Sequence, residues 1–355
     1  MAAAAAASIL SAPLTVSAQE PTLDAEEEVL GLRRGGFLVL PSIEIRGGYT
    51  DNIDRAAGDK RSGSVVEIEP ELTVRSNWSR HALSFDLRGR HTATDGDFAQ
   101  LDGFVEADAE GRLDIYRRTS VRLGAGYRRK EDDGSVDHSV SAKGDLSHRF
   151  NRLAVSLRGG YERFDFDDTR PGTASTVETN VSDYTEYSGG ARVSYDVSPL
   201  TSLFAEADFN RRDHRQPVDI NGFLRGSEGY SAVAGVRLSN GSKLSGEVSA
   251  GYRLQKPDDP ALADVEGTSL DAELVWQASA LTRLSLDAST RLGETTLAGS
   301  AGYVSRAAGV EIEHRMGRKI VLSAGAIYTR NEFSGTDLVE QTYDLGVGLD
   351  YLLSR

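Results

Sequence analysis

From Phe37 to the C-terminus the chain repeats one pattern. Apolar residues fall at every second position for roughly 9–13 residues, polar or charged residues lie between them, and a turn or polar loop follows. Val66, Ile68, Pro70, Leu72 and Val74 share one side of such a run, and Glu67, Glu69, Glu71, Thr73 and Arg75 share the other. The alternation returns at Leu83, Phe85 and Leu87 against Asp86, Arg88 and Arg90, and at Val105, Ala107 and Ala109 against Glu106, Asp108 and Glu110. Helical spacing cannot generate this period, whereas a strand, whose side chains point to opposite faces in turn, does so directly. Strands are expected near 37–50, 64–76, 81–92, 103–115, 120–129, 138–149, 153–163, 184–197, 201–211, 229–239, 243–254, 268–277, 282–291, 302–314, 319–330 and 341–353. The tally of about sixteen is even, as in bacterial transmembrane barrels.

The connections alternate too. Short turns are expected at 77–80, 116–119, 150–152, 198–200, 240–242, 278–281 and 315–318, with Asn240-Gly241 a favoured two-residue hairpin turn. Between them come longer polar loops at 50–63, 129–137, 165–180, 211–226 and 255–267. Short periplasmic turns and long extracellular loops are the signature of an outer-membrane barrel with both termini in the periplasm. In the run at 302–314 the residues Tyr303, Ser305 and Ala307 fall out of phase with Val310 and Ile312, which implies a bulge or a displaced boundary.

Which face points inward separates a membrane barrel from a soluble one. Each run carries several charges on one face, too many to bury, so that face lines a wet lumen while Leu, Val, Ala and Gly face outward to lipid. Composition agrees: apolar content is 39%, thin for a conventional soluble core. Aromatic residues in the outward phase gather at strand ends. Tyr49, Tyr127, Tyr161, Phe209, Tyr252 and Tyr328 precede long loops, while Trp78, Tyr195, Trp276 and Tyr351 lie near short turns. Two belts at the lipid–water interfaces account for them. Lumen-lining candidates are Arg75, Arg88, Arg90, Arg112, Arg122, Arg128, Arg158, Arg192, Glu69, Asp86, Glu106 and Asp108. Their mixed sign suits ion-pair ladders that stiffen the wall, and their Arg forks also suit carboxylates of a passing solute.

Residues 1–18 are Ala-rich and apolar and end Thr15-Val16-Ser17-Ala18, which reads as a secretory signal peptide; residues 19–36 read as a periplasmic lead-in and 37–355 as the barrel. With no cysteine, disulfides, thiolate metal sites and Cys nucleophiles are excluded. A net charge of −14 argues against nucleic acid as a partner. The six histidines form no metal spacing, and no cofactor or metal is expected. Gly299-Ser300-Ala301-Gly302 lacks the first glycine of a nucleophile elbow. His91 and His148 fall in the outward phase at strand ends, where an interfacial role suffices, so an enzyme is not expected. The run Asp165-Phe166-Asp167-Asp168 has oxygen ligands suited to Ca²⁺ but reads better as a solvated loop.

The opening strand carries a more specific signal. Pro41 introduces an alternating run that ends in Tyr49-Thr50-Asp51-Asn52, and this resembles the start of the putative beta-barrel porin 2 family. The resemblance implies an outer-membrane barrel, with some relatives associated with exopolysaccharide or capsule export. Such barrels usually finish on an aromatic residue, whereas this chain ends Tyr351-Leu352-Leu353-Ser354-Arg355. The expected partners are outer-membrane lipid, the barrel-assembly machinery, and a polar solute or polysaccharide. The expected function is a porin-like channel for passive passage of that solute. The alternative is a non-conducting structural or adhesive barrel whose loops bind partners outside the cell.

Overall fold

The computed structural model describes residues 31–50, 60–95, 97–132, 135–168, 183–219, 221–239, 243–295, 297, 299–317 and 319–351. Residues 1–18, read as a signal peptide, most of the stretch read as lead-in, Asp51 and Asn52, the expected Asn240-Gly241 turn and the last four residues lie outside them. The described residues contain no helix and seventeen strands: β1 Leu32–Arg34, β2 Phe37–Thr50, β3 Gly63–Ser76, β4 Ala82–Thr94, β5 Asp97–Tyr116, β6 Thr119–Asp132, β7 Ser135–Phe150, β8 Leu153–Asp168, β9 Tyr184–Ser198, β10 Thr201–His214, β11 Ser227–Leu238, β12 Leu244–Pro257, β13 Val265–Gln277, β14 Thr282–Glu294, β15 Gly302–Met316, β16 Ile320–Phe333 and β17 Val339–Tyr351.

Sixteen of these, β2 to β17, answer the sixteen expected runs. The addition is β1, at the end of the stretch read as lead-in. Gly35 takes a φ of +60, a conformation glycine adopts freely, and turns the chain so that Leu32–Arg34 pairs with Phe37–Val39. A three-residue strand is too short to show a period. Other differences lie on the long-loop side: β5 begins at Asp97 rather than near 103, and β6 runs to Asp132 while β7 begins at Ser135, so the long loop expected at 129–137 is taken up by strand. Above the apolar band both faces are polar, so the alternation fades while ladder hydrogen bonds continue.

The chain forms two compact units, Met1–Gly144 with Tyr161–Thr185, and Asp145–Gly160 with Glu186–Arg355. In the first unit, β1 to β6 pair antiparallel in sequence order. In the second, β10 to β17 do the same. The alternation sorts side chains as the sequence requires. Leu83, Leu203, Leu270 and Ile312 stand on the apolar face, uncovered by the chain. The opposite face carries the charges, and in the second unit it is concave. Arg192 on β9 makes a bidentate pair with Glu247 on β12, at 2.7 and 3.0 Å. Three strand spacings are roughly 14 Å on a flat sheet, a gap these two side chains close only where the sheet curves toward them.

One ladder breaks. Pairing of β13 with β14 runs from Gln277↔Arg283 only to Ala272↔Ala288. Beyond it β13 stays with β12 as far as Val265, while β14 stays with β15 as far as Gly302. Splitting a ladder orphans backbone donors and acceptors, and such groups need new partners. Thr290 and Asp271 supply them: the Leu270 N–H donates to Thr290 Oγ1 (3.1 Å), the Thr290 hydroxyl to the Leu270 carbonyl (3.3 Å), and the Thr290 N–H to the Asp271 carboxylate (3.1 Å).

Past the split, the loop-side ends of β14 and β15 lie as a shelf on the charged face of β10 to β13. Val304, 6% exposed, and Arg306 stand over Gly267, and Gly302 packs on Val265, 2% exposed. This resolves the phase conflict at 302–314 differently from the expectation. β15 has neither a bulge nor a misplaced boundary, for its registers with β14 and β16 are continuous. Val304 and Arg306 share the phase of Val310 and Ile312; that one row faces outward near the turns and faces protein above the split. Tyr303 lies in the opposite phase, against Phe333 (centroids 5.2 Å apart).

A first prediction arises here. Val310→Arg places a charge on the apolar face and is expected to destabilise the folded protein in lipid vesicles by roughly 2–4 kcal/mol. Glu311→Gln, one residue on and on the opposite face, is expected to change urea unfolding little. Equal effects would contradict the assignment of faces.

Candidate functional site

The charged face holds three groups of side chains. In the first unit, Arg88 pairs with Glu106 at 2.8 Å, Arg90 pairs with Glu69, and Arg46 reaches Glu69 at 3.2 Å. These partners sit on neighbouring strands. Their guanidiniums stay wet, with the Arg88 side chain 47% exposed. Asp86 accepts the Thr73 hydroxyl at 2.6 Å and stands directly opposite Asp108. Arg112 pairs with Asp114 at 2.9 Å and faces Arg122. Arg75 makes no ion pair among the described residues, and Arg128 turns toward Phe104.

In the second unit the pairing is denser. Arg158 on β8 binds Glu206 (2.8 Å) and Asp208 (2.6 Å) on β10, and Asp208 also accepts the Ser231 hydroxyl. Arg192 binds Glu206 and Glu247, and its guanidinium lies 3.6 Å above the centroid of the buried Phe204 ring. Arg237 completes this network on Glu247 at 2.8 Å. Each cation here has a carboxylate.

The third group fastens the shelf. Glu294, at the tip of β14, accepts Arg212 at 3.3 Å and lies 3.0 Å from His214 Nε2; Arg212 also binds Glu186 at 2.6 Å. Arg225 donates to the Thr295 carbonyl at 2.5 Å. Ser334 donates to the Asp264 carbonyl at 2.7 Å. Beneath, Gln255 donates to Asn210 and Ser227. This group is partly buried: the His214 side chain is 1% exposed and that of Arg212 14%.

Loop 258–262 steadies the segment before β11. The Asp259 carboxylate accepts the Leu224 N–H at 2.8 Å and the Ala261 N–H at 2.9 Å, which holds its pKa below the usual carboxylate value. A depressed pKa contributes stability that is present above the unfolded value of about 4 and is lost as pH falls through the folded value. Hydrogen exchange at the Leu224 amide, compared with Asp259→Asn, is expected to show protection in the native chain at neutral pH that fades on acidification below that value. Protection independent of pH would contradict the clamp.

Sequence reasoning listed eight arginines and four acids. The structure brings Arg88, Arg90, Arg128, Glu69 and Glu106 into one cluster and Arg158 and Arg192 into another. It leaves Arg75 apart. Missed were Phe104 and Phe204, whose even positions put them in phase with Glu106 and Glu206, a signal the sequence held. Also missed were Arg212, His214, Arg225 and Glu294, which meet only because the ladder splits. Of the aromatics, Tyr49, Trp78, Tyr127, Tyr195, Phe209, Tyr252, Trp276 and Tyr351 are exposed, and Tyr161 and Tyr328 half-buried. Phe209 stacks opposite Tyr230 and Tyr328 opposite Tyr343, at 5.3 and 4.9 Å, as cross-strand pairs. His148 packs on Phe150, and Ser300, 1% exposed, donates to the Gly302 carbonyl. Asp165 is held by Arg163 at 2.9 Å, and the side chains of Asp167 and Asp168 lie outside the described residues. No group of three metal-ligating side chains forms among the described residues.

A face of alternating Leu, Val and aromatic residues, backed by a face of ion pairs on antiparallel strands, defines an outer-membrane β-barrel. The family model described as "Putative beta-barrel porin 2" matches residues 25–355, and the chain belongs to that porin family of the outer membrane. No curated protein matches it. Among solved structures it is similar to the copper transporter OprC, with 10% identity over 90% of this chain and 64% of that one and a TM-score of 0.49. It is also similar to the siderophore receptor PirA of Pseudomonas aeruginosa (13%, 88% and 61%, TM-score 0.43) and to OccAB3 of Acinetobacter baumannii (8%, 89% and 98%, 0.41). The chain spans about three fifths of the siderophore receptors' length.

Proposed function

We propose that the chain is a porin-like channel through which polar solutes, or a secreted polysaccharide, pass passively along the charged face. The observation that carries this reading is the wetness of that face in the first unit, where arginines paired within their own strand or with the next keep a third to a half of their side-chain surface open. Passage needs a hydrated path and lining charges that bind weakly enough to release. The shelf supplies a constriction on the extracellular side. Outer-membrane lipid covers the apolar face, and the barrel-assembly machinery inserts the chain.

The non-conducting alternative has its own support, the closed network of Arg158, Arg192, Arg237, Glu206, Asp208 and Glu247. Single-channel recording of the refolded protein in a planar bilayer separates the two. The channel reading expects stable unitary conductance rising with salt. A folded, inserted protein that passes no current overturns it in favour of a structural barrel.

A further inference from the structure

Phe104 sits on the wet face, where an aromatic ring has no lipid to meet. It lies opposite Arg90 and Lys130 on the flanking strands, in phase with Arg88, Glu106 and Arg128. Three guanidinium carbons surround the ring, Arg90 at 5.3 Å from its centroid, Arg88 at 5.8 Å and Arg128 at 5.9 Å. Next to it, Gly103 lets β5 approach β4 closely, for a Cβ there would collide with the Arg90 carbonyl. The carboxylates that pair with two of these cations are Glu106 and Glu69. Arg128 makes no ion pair among the described residues, so one guanidinium beside the ring keeps its donors for another acceptor.

The second unit offers the comparison. There the Arg192 guanidinium lies 3.6 Å from the Phe204 centroid, the ring is 6% exposed, and the cation pairs with two carboxylates. That arrangement is closed and braces the wall. Around Phe104 the same chemistry is open: the ring is half-buried, the guanidiniums stand farther off, and the side chains of Arg88 and Arg90 are 47% and 34% exposed.

We propose that Phe104 and Arg128, flanked by Arg88 and Arg90, form a binding stop for a carboxylate carried on a ring. The ring of the solute lies against Phe104, and its carboxylate takes the fork of Arg128. An aromatic platform favours a flat partner, and an unpaired guanidinium presents parallel N–H donors matched to a carboxylate. The stop names the solute class for the charged face and rests on the reading that solutes reach that face.

The test is titration calorimetry of the refolded full chain in detergent with benzoate, cyclohexanecarboxylate and acetate. Both ring acids are expected to bind at least about threefold to tenfold tighter than acetate. Arg128→Gln is expected to weaken all three roughly tenfold, and Arg128→Lys to recover part of the loss. Phe104→Leu is expected to remove the preference for ring acids while leaving acetate unchanged. Each variant is first shown to keep the heat-modifiable gel mobility and strand-rich circular dichroism of the native fold. Equal binding of benzoate and acetate, or binding indifferent to Arg128→Gln, overturns the stop. Calorimetry needs no current, so binding without conductance would overturn the channel reading alone, and conductance without ring-acid binding the stop alone.

Discussion

Glu294→Ala is expected to release the shelf, raise unitary conductance roughly twofold or more, and lower stability at the same time. Glu294 is the acceptor on which Arg212 and His214 converge from β10. Removing it takes one carboxylate from Arg212, which keeps its pair with Glu186, and takes the same carboxylate from His214, in a site where that imidazole is almost wholly covered. Taking one partner from such a buried group costs about 3–5 kcal/mol, because the Arg212 guanidinium and the polar imidazole left behind stay out of water. The shelf's remaining ties are weaker: the Arg225 and Ser334 hydrogen bonds to backbone carbonyls and the packing of Val304 on Gly267 and of Gly302 on Val265. Glu294→Gln keeps the shape and one acceptor and is expected to fall between the two. A Glu294→Ala protein with native conductance and a lowered melting temperature would show the anchor to be structural and the shelf to lie clear of the path.

Much of this was written in the alternation. Period two fixes which residues share a face, and Arg88, Glu106 and Phe104 share theirs because 88, 106 and 104 fall in register across β4 and β5. It does not fix what covers a face. Val304 and Val310 are in phase, yet one faces protein and the other stands outside, because the β13–β14 ladder ends between them. The phase conflict at 302–314 marks the place but does not show that a ladder ends there. The groups that satisfy the freed backbone, the Thr290 hydroxyl on Leu270 and the Asp271 carboxylate on the Thr290 N–H, also suit a wet lumen. The strand ends were illegible for a related reason: from Arg129 to Asp132 both faces are polar, and hydrogen bonding continues without a hydrophobic signature. Phe204 was legible by phase as a residue of the charged face, but nothing in the spacing places Arg192 on its ring.

The charged faces of the two units differ in a way that bears on both readings of function. In the second unit the cations are spent: Arg158, Arg192 and Arg237 share Glu206, Asp208 and Glu247 across strands that curve toward one another. In both units like charges also face each other directly, at Asp86–Asp108 and Arg112–Arg122 in the first and at Glu247–Glu273 and Glu273–Asp287 in the second, a pairing that weakens a sheet. A wall selected only for rigidity has no use for such pairs. Solvated side chains beside a passing ion tolerate them, and they keep binding to any one site weak.

A disulfide across the split is expected to fix the shelf and to reverse the Glu294→Ala phenotype. A Cβ built on Gly335 would lie 3.9 Å from the Cβ of Ala263, within the span a disulfide bridges. The native chain has no cysteine, so Ala263→Cys with Gly335→Cys creates a single possible pair. Gly335 has a φ of +75, where a side chain costs about 1–2 kcal/mol; closing a loop of this length offsets about 4 kcal/mol in the unfolded chain, so the oxidised protein is expected to be the more stable form. In the Glu294→Ala background the oxidised protein should return to native conductance, and reductant should restore the raised level in the same membrane. In the native background the bond should leave mean conductance unchanged, since the shelf is already held by Glu294. Equal conductance of the oxidised and reduced Glu294→Ala proteins would mean that loss of the anchor acts elsewhere than on the shelf.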